Sequence, residues 1–287
     1  MSVSVSVSVS VTISDLRKKI VSRLLTYSDS PQIDAELILM YVLHKTRAQL
    51  LMVLNDPIDE KTLKNSDNLV SRRCQGEPIA YLTGHQPFWT MDLIVTKDTL
   101  IPRPETECLI EWVLKHFSVE NNLTVADLGT GTGAIAIALA LEKPRWEMDA
   151  TDLSSDALTI AKKNAETYGI KNITFYEGDW CDALPNKKYD VIISNPPYIA
   201  EHDAHLEKLQ FEPQSALISG MNGLNAIEKI VHQAPFFLKQ NGTLIIEHGF
   251  DQAESVKTIF NRAGFKAIEN HLDLGGNTRF TTGKISS

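Results

Sequence analysis

From Glu105 onward, short runs of apolar and β-branched residues alternate with stretches whose apolar residues fall at helical spacing, and nothing else in the chain constrains its fold as strongly. The pattern predicts strands at 123–128, 146–151, 172–176, 190–194, 242–247, 265–270 and 278–282. It predicts helices at 133–141, 155–168, 224–238 and 251–263, with a further helix through "CLIEWVLKHF" at the start. Strands that alternate with helices join by right-handed crossovers, which yields a parallel sheet covered by helices on both faces. The last two strands lie too close together for a crossover helix, so they are expected to form an antiparallel hairpin at the sheet edge. The fold class is α/β, with a seven-stranded, mostly parallel sheet.

The sequence before Glu105 has a different texture. "SDLRKKIVSRLL" reads as a helix beginning at a Ser14 cap, with Leu16, Ile20, Val21, Leu24 and Leu25 along one face. "SPQIDAELILMYVLHK", "TRAQLLMVL" and "DEKTLKNSDNLVSRRCQ" follow in the same manner, so residues 1–75 comprise a tail and a small helical bundle. Residues 76–104, aromatic, β-branched and broken by Gly84, Pro87, Pro102 and Pro104, predict a hairpin connector. Residues 105–287 form the α/β domain. The alternating Ser/Val stretch at 2–11 is of low complexity and is expected to be a poorly ordered tail rather than an edge strand.

The longest apolar run, Ala134 to Leu141, is far too short to span a bilayer, and the N-terminus lacks the basic end and apolar block of a secretory signal. A cytoplasmic protein with no membrane partner is expected. Cys74, Cys108 and Cys181 are odd in number and widely spaced, which argues against a disulfide framework or a metal site.

In a sheet of this kind ligands bind beyond the carboxyl ends of the strands, near the point where strand order reverses. The first strand runs into "DLGTGTGAIAIALA". Gly129, Gly131 and Gly133 permit a sharp turn and close approach of a ligand at a helix start, although this spacing also satisfies a dinucleotide fingerprint. The second strand ends at Asp152, about 20 residues on, where a carboxylate can accept from ribose hydroxyls. Asp152 is equally suited to capping the next helix, but Ser154 can take that role and leave the carboxylate free. After the third strand, Asp179 can accept from an exocyclic amine and Trp180 can cover a purine face; Trp180 is nearly as well read as a core residue.

The fourth strand ends in Asn195-Pro196-Pro197-Tyr198. Two prolines remove two backbone donors and hold their predecessors extended, so the segment is stiff. The side-chain oxygen of Asn195 and the carbonyl of Pro196 offer two acceptors side by side, suited to a planar NH2 group. Such a nitrogen is a poor nucleophile, because its lone pair is delocalised. Two acceptors on its two N–H bonds both orient it and stabilise the positive charge that develops on alkylation. Tyr198 can stack on the flat substrate. His248, at the end of the fifth strand, is the nearest thing to a general base, but deprotonating an amide is beyond an ordinary imidazole, and a structural role is expected.

Taken together, "DLGTGTGAIAIALA" and the Asn-Pro-Pro-Tyr tetrapeptide resemble the amino methyltransferases that act on adenine, cytosine or glutamine nitrogen. "GEPIAYLTGHQPFW", "LIPRPETE", "SNPPYI", "FEPQSALISGMNGL" and "DAELIL" narrow the likeness to the peptide chain release factor glutamine N5-methyltransferases, over nearly the whole chain from about residue 12. The resemblance implies a Rossmann-like class I methyltransferase sheet, S-adenosyl-L-methionine as cofactor, and methylation of the glutamine in the Gly-Gly-Gln motif of class 1 release factors. By motif, Gly129, Thr130, Gly131, Thr132, Gly133, Asp152, Trp180 and Asn195 would bind the cofactor. Asn195, Pro196, Pro197 and Tyr198 would bind the substrate, with Asn195, Pro196 and Tyr198 in the catalytic role and no metal. Arg103 and Glu105 would help close the site, or form an ion pair at the domain junction. The helical bundle would contribute substrate recognition, in a monomer.

Charge separates this reading from its main rival. The chain carries −8 overall; residues 1–75 hold 10 Lys+Arg against 8 Asp+Glu, and residues 76–287 hold 18 against 28. A nucleic-acid amino methyltransferase would share the tetrapeptide but need a basic groove, so direct DNA binding is not expected. A non-catalytic nucleotide-binding module would have no reason to keep the tetrapeptide.

Overall fold

The computed structural model describes residues 11–117 and 122–286, so most of the Ser/Val stretch lies outside the described residues. The chain divides into two compact units, 1–84 and 85–287.

The first unit holds α1 (Ile13–Leu24), α2 (Pro31–Leu43), α3 (Arg47–Met52), α4 (Glu60–Arg73) and α5 (Ile79–Thr83). Leu16, Ile20 and Leu24 of α1 are buried against Ile38 and Leu39 of α2 and Leu69 and Val70 of α4. Two details depart from the sequence expectation. The cap of α1 is Thr12 rather than Ser14, because Thr12 and Asp15 cap each other's backbone N–H reciprocally and this brings Ile13 into the core. Leu25 falls past the end of the helix and is exposed. The buried Asp34 accepts from Arg73 at 2.7 Å, tying α2 to α4. The unit also extends beyond Gly76: Pro78 starts α5, whose Leu82 joins the helical core, so the break falls at Gly84 and not at residue 75.

The second unit opens with the antiparallel hairpin of β1 (His85–Phe88) and β2 (Met91–Ile94). This hairpin is part of the α/β unit rather than a free connector. Phe88, Met91 and Leu93 enter the core of the sheet, and Asn164 bonds both the N–H and the carbonyl of Ile94. There follow α6 (Glu107–His116), β3 (Thr124–Leu128), α7 (Ala134–Glu142), β4 (Glu147–Asp152), α8 (Ser155–Thr167) and β5 (Ile173–Glu177). Then come β6 (Tyr189–Ser194), α9 (Asn225–Gln233), β7 (Leu238–Glu247), α10 (Ala253–Arg262), β8 (Phe265–Leu272) and β9 (Thr278–Ile285). The seven-stranded sheet has the order β5-β4-β3-β6-β7-β9-β8, parallel except for β9, and β8 and β9 form the expected antiparallel pair. The helix expected at 224–238 stops at Gln233: Pro235 lacks the backbone donor, the chain passes through a short 3-10 turn, and β7 begins earlier than its apolar pattern suggests. Strand order reverses between β3 and β6, which places the glycine loop and the tetrapeptide side by side.

Candidate active site

At the end of β3 the backbone N–H groups of Gly129 and Thr130 both donate to the Thr151 carbonyl of β4, at 2.8 and 2.9 Å. Gly129 has φ +72°, and a Cβ there would stand 2.8 Å from the Trp180 ring, so only glycine lets the indole pack this closely against the loop. Thr130 and Thr132 are buried. The Thr130 hydroxyl donates to Asp127 at 2.6 Å, and the Thr132 carbonyl accepts from Asn164 at 2.9 Å. Burial pushes the Asp127 carboxyl up to about 6. Gly133 caps α7, and a Cβ there would meet Ile137 at 2.7 Å.

Asp152 is engaged rather than free. Its two oxygens accept from the Gly131 N–H at 2.8 Å and the Ser154 N–H at 2.9 Å, while the Ser154 hydroxyl caps α8 as expected. The Leu153 N–H also lies against the carboxylate, which still leaves acceptor capacity for a ligand. Burial raises the Asp152 carboxyl above its ordinary value.

A cavity of about 460 Å³ is lined by Gly129, Gly131, Asp152 and Trp180 together with Asn195 and Pro197. Thr130, Thr132 and Gly133, expected from the sequence to bind the cofactor, do not line it; the bonds and close packing just described hold the loop in shape. Asp179 also lines the cavity but pairs with Lys229. Lys97, Thr99 and Leu100 contribute a wall that sequence reasoning missed, because nothing in "TKDTL" distinguishes it from an ordinary turn.

A second cavity of about 170 Å³ is lined by Pro196, Tyr198, Arg103 and Leu217, and again by Asn195. The tetrapeptide between the two is pinned. The Ser194 hydroxyl donates to the Leu128 carbonyl at 2.7 Å, and Gln252 donates to the Tyr198 carbonyl at 3.0 Å. Arg103 pairs with the buried Glu212 at 2.5 Å, and the other Glu212 oxygen accepts from the Ile101 N–H at 3.1 Å, so the segment after the tetrapeptide is clamped to residues 101–103. Arg103 lines the second cavity, and its ion pair, to Glu212, lies within the 85–287 unit rather than at the domain junction. Asn195 Nδ2 donates to the Thr106 hydroxyl at 3.3 Å, whereas Asn195 Oδ1 is buried with no partner among the described residues.

Around this point lies a polar cluster drawn from distant segments. Glu247, at the end of β7, is buried beside the Thr106 side chain, and its Oε2 has no partner among the described residues; burial pushes its carboxyl up to about 7. Arg279 pairs with Asp273 at 3.0 Å and stands beside the Tyr198 phenol, which burial and Glu247 push up to about 12. His248 is fully buried. Its Nδ1 lies 2.8 Å from the Gly249 carbonyl and its Nε2 2.8 Å from the Thr281 hydroxyl, and burial lowers its pKa. It lines neither cavity, and both ring nitrogens are occupied. Among the described residues no group of His, Cys, Asp and Glu is placed to hold a metal, and no helix is long and apolar enough to cross a membrane.

A cavity at the reversal point of such a sheet, walled by a glycine loop, a carboxylate and an indole, defines a methyltransferase of the α/β class. Residues 106–212 match the family model "Methyltransferase small domain". The fold is shared with a methyltransferase from Pyrococcus furiosus of known structure, with a TM-score of 0.54 at 16% identity over 77% of this chain and 100% of that one. Residues 15–84 match the family model "PrmC N-terminal domain". The chain is 46% identical to the release factor glutamine methyltransferase of Coxiella burnetii, covering 93% of this chain and 97% of the relative. It is 42% identical to that of Escherichia coli, covering 91% and 94%. The chain belongs to the release factor glutamine methyltransferase family.

Proposed function

We propose that the chain transfers a methyl group from S-adenosylmethionine to the side-chain amide nitrogen of the glutamine in the Gly-Gly-Gln motif of class 1 release factors. The observation that carries this reading is the position of Asn195, which lines both cavities and keeps a buried, unpartnered Oδ1. The larger cavity suits the cofactor: Gly129 lets Trp180 pack closely against the loop, and Asp152 retains acceptor capacity there. When bound, S-adenosylmethionine supplies an electrophilic methyl group on a sulfonium.

The protein's own contribution is to present the nucleophile. Asn195 Oδ1 and the Pro196 carbonyl accept the two N–H bonds of the glutamine amide, which aims its nitrogen from the smaller cavity toward the larger one. As the N–CH3 bond forms and the S–CH3 bond breaks, positive charge grows on the nitrogen, and the same two acceptors stabilise it. The methylated nitrogen then loses a proton to water, since a protonated amide is a strong acid, and no basic side chain is required. Tyr198 and Arg103 line the pocket and exclude solvent.

Mass spectrometry of a folded class 1 release factor incubated with the protein and S-adenosylmethionine tests the reading. A single methyl on the Gly-Gly-Gln glutamine is expected, with no label on duplex DNA. Methyl groups on DNA bases, or on another residue of the factor, would overturn it.

A further inference from the structure

An amide has two ends of similar size and opposite hydrogen-bonding character, and the reaction above requires Asn195 to offer its oxygen. Nothing in the side chain's shape enforces that choice. Among the described residues its side chain has one partner, the Thr106 hydroxyl, which can either donate or accept. Thr106 stands at the N-cap of α6, where a threonine ordinarily caps its own helix, yet its side chain makes no capping bond. It stands instead beside Glu247, whose Oε2 is buried without a partner among the described residues. The register explains the meeting: Ser194 of β6 lies opposite Ile246 of β7, so Asn195 and Glu247 follow at the ends of adjacent strands.

We propose that Thr106 and Glu247 are positioning residues that set the orientation of the Asn195 amide. The Glu247 carboxylate takes the Thr106 hydroxyl hydrogen, the Thr106 oxygen is thereby left to accept from Asn195 Nδ2, and Oδ1 becomes the end offered to the substrate. A hydroxyl has a single hydrogen, so an ionised Glu247, which can only accept, claims it. A protonated Glu247 can donate to Thr106 instead, freeing the hydroxyl hydrogen for Asn195 Oδ1 and permitting the reversed, unproductive amide. Arg279 and Arg103 favour the ionised form, while burial and Glu105 oppose it, and the balance brings the carboxyl to about 7. Tyr198, which Glu247 also influences, keeps its proton throughout this range, since its phenol stands at about 12. Orientation of the amide is therefore coupled to pH near neutrality, with the productive form favoured as pH rises through 7.

The inference rests on the proposed reaction for its purpose, but the relay can be observed without it. In full-length protein labelled with 15N-asparagine, the Asn195 side-chain NH2 pair is identified by its loss in Asn195→Ala. The pair is expected to shift with a midpoint near pH 7 and to stop titrating in Glu247→Gln. It should move and exchange faster with solvent in Thr106→Val, and return in Thr106→Ser. In methyl-transfer assays Thr106→Val should lower kcat on the order of 10-fold with KM for S-adenosylmethionine unchanged, and Thr106→Ser should restore it. An NH2 pair indifferent to Thr106→Val would overturn the relay whether or not the protein methylates a release factor. A pair that moves while kcat stays at the wild-type value would overturn the positioning role. Failure of the proposed reaction is seen separately, as absence of methyl transfer by the wild-type protein.

Discussion

In the proposed reaction Asn195 carries more of the chemistry than any other single side chain, because both cavities are lined by it and its oxygen has no competing partner among the described residues. Asn195→Ala removes one of two preorganised acceptors, and loss of such a contact commonly costs on the order of 100-fold or more in rate. Folding should survive, since among the described residues the side-chain bond lost is the single one to Thr106. Asn195→Asp keeps an acceptor at the same place, so its rate should fall less than that of the alanine variant. It does, however, set a second acid on Thr106 beside the buried Glu247, and part of the loss should be recovered by varying pH. Single-turnover rates of the two variants check the ordering; near-normal turnover by Asn195→Ala would remove this residue from the mechanism.

At the scale of elements, the glycine loop works because three neighbours shape it from below: Asp127 through Thr130, Asp152 through Gly131, and Asn164 through Thr132. Gly129→Ala would combine a left-handed backbone with a Cβ pressed against Trp180, a strain of about 1–3 kcal/mol. The indole must shift, and it forms the cavity wall. Affinity for S-adenosylhomocysteine, measured by calorimetry, should fall about 10-fold (about 1.4 kcal/mol), while kcat at saturating cofactor changes little. Unaltered affinity would mean that Trp180 is a core residue only. The seven strands and the glycine loop were legible in the sequence because hydrophobic period and Gly spacing are local signals. Other features were not local. Whether "EPIAYLT" joins the helices, and whether the hairpin joins the sheet, depends on partners such as Asn164, 70 residues away from Ile94. Likewise Glu212 meets Arg103 across 109 residues, and Thr106, Glu247 and Arg279 come from three separate segments, so the tetrapeptide could be read while its polar support could not.

For the whole molecule, the question is how a pocket proposed to read one side chain could select its protein substrate. The cavity beside Tyr198 is about 170 Å³, enough for a small group and little else. Few buried atoms set a low ceiling on affinity, so a short Gly-Gly-Gln peptide should bind poorly however well its amide is held. The rest of the recognition must draw on surface outside the pocket. We propose the helical unit as a source of it: residues 1–84 have their own core and differ in charge from the remainder, holding 10 Lys+Arg against 9 Asp+Glu where residues 85–287 hold 18 against 27. Rim electrostatics of this kind act mainly on encounter and fade with salt. The full-length protein should therefore show a kcat/KM for a folded release factor at least on the order of 100-fold above that for the peptide, carried by KM rather than kcat. Added salt should narrow the gap. Charge reversal at the exposed Lys18 and Lys19 of α1 should lower kcat/KM for the folded factor and leave peptide turnover unchanged. Equal kcat/KM for peptide and factor would show that the pocket alone selects the substrate.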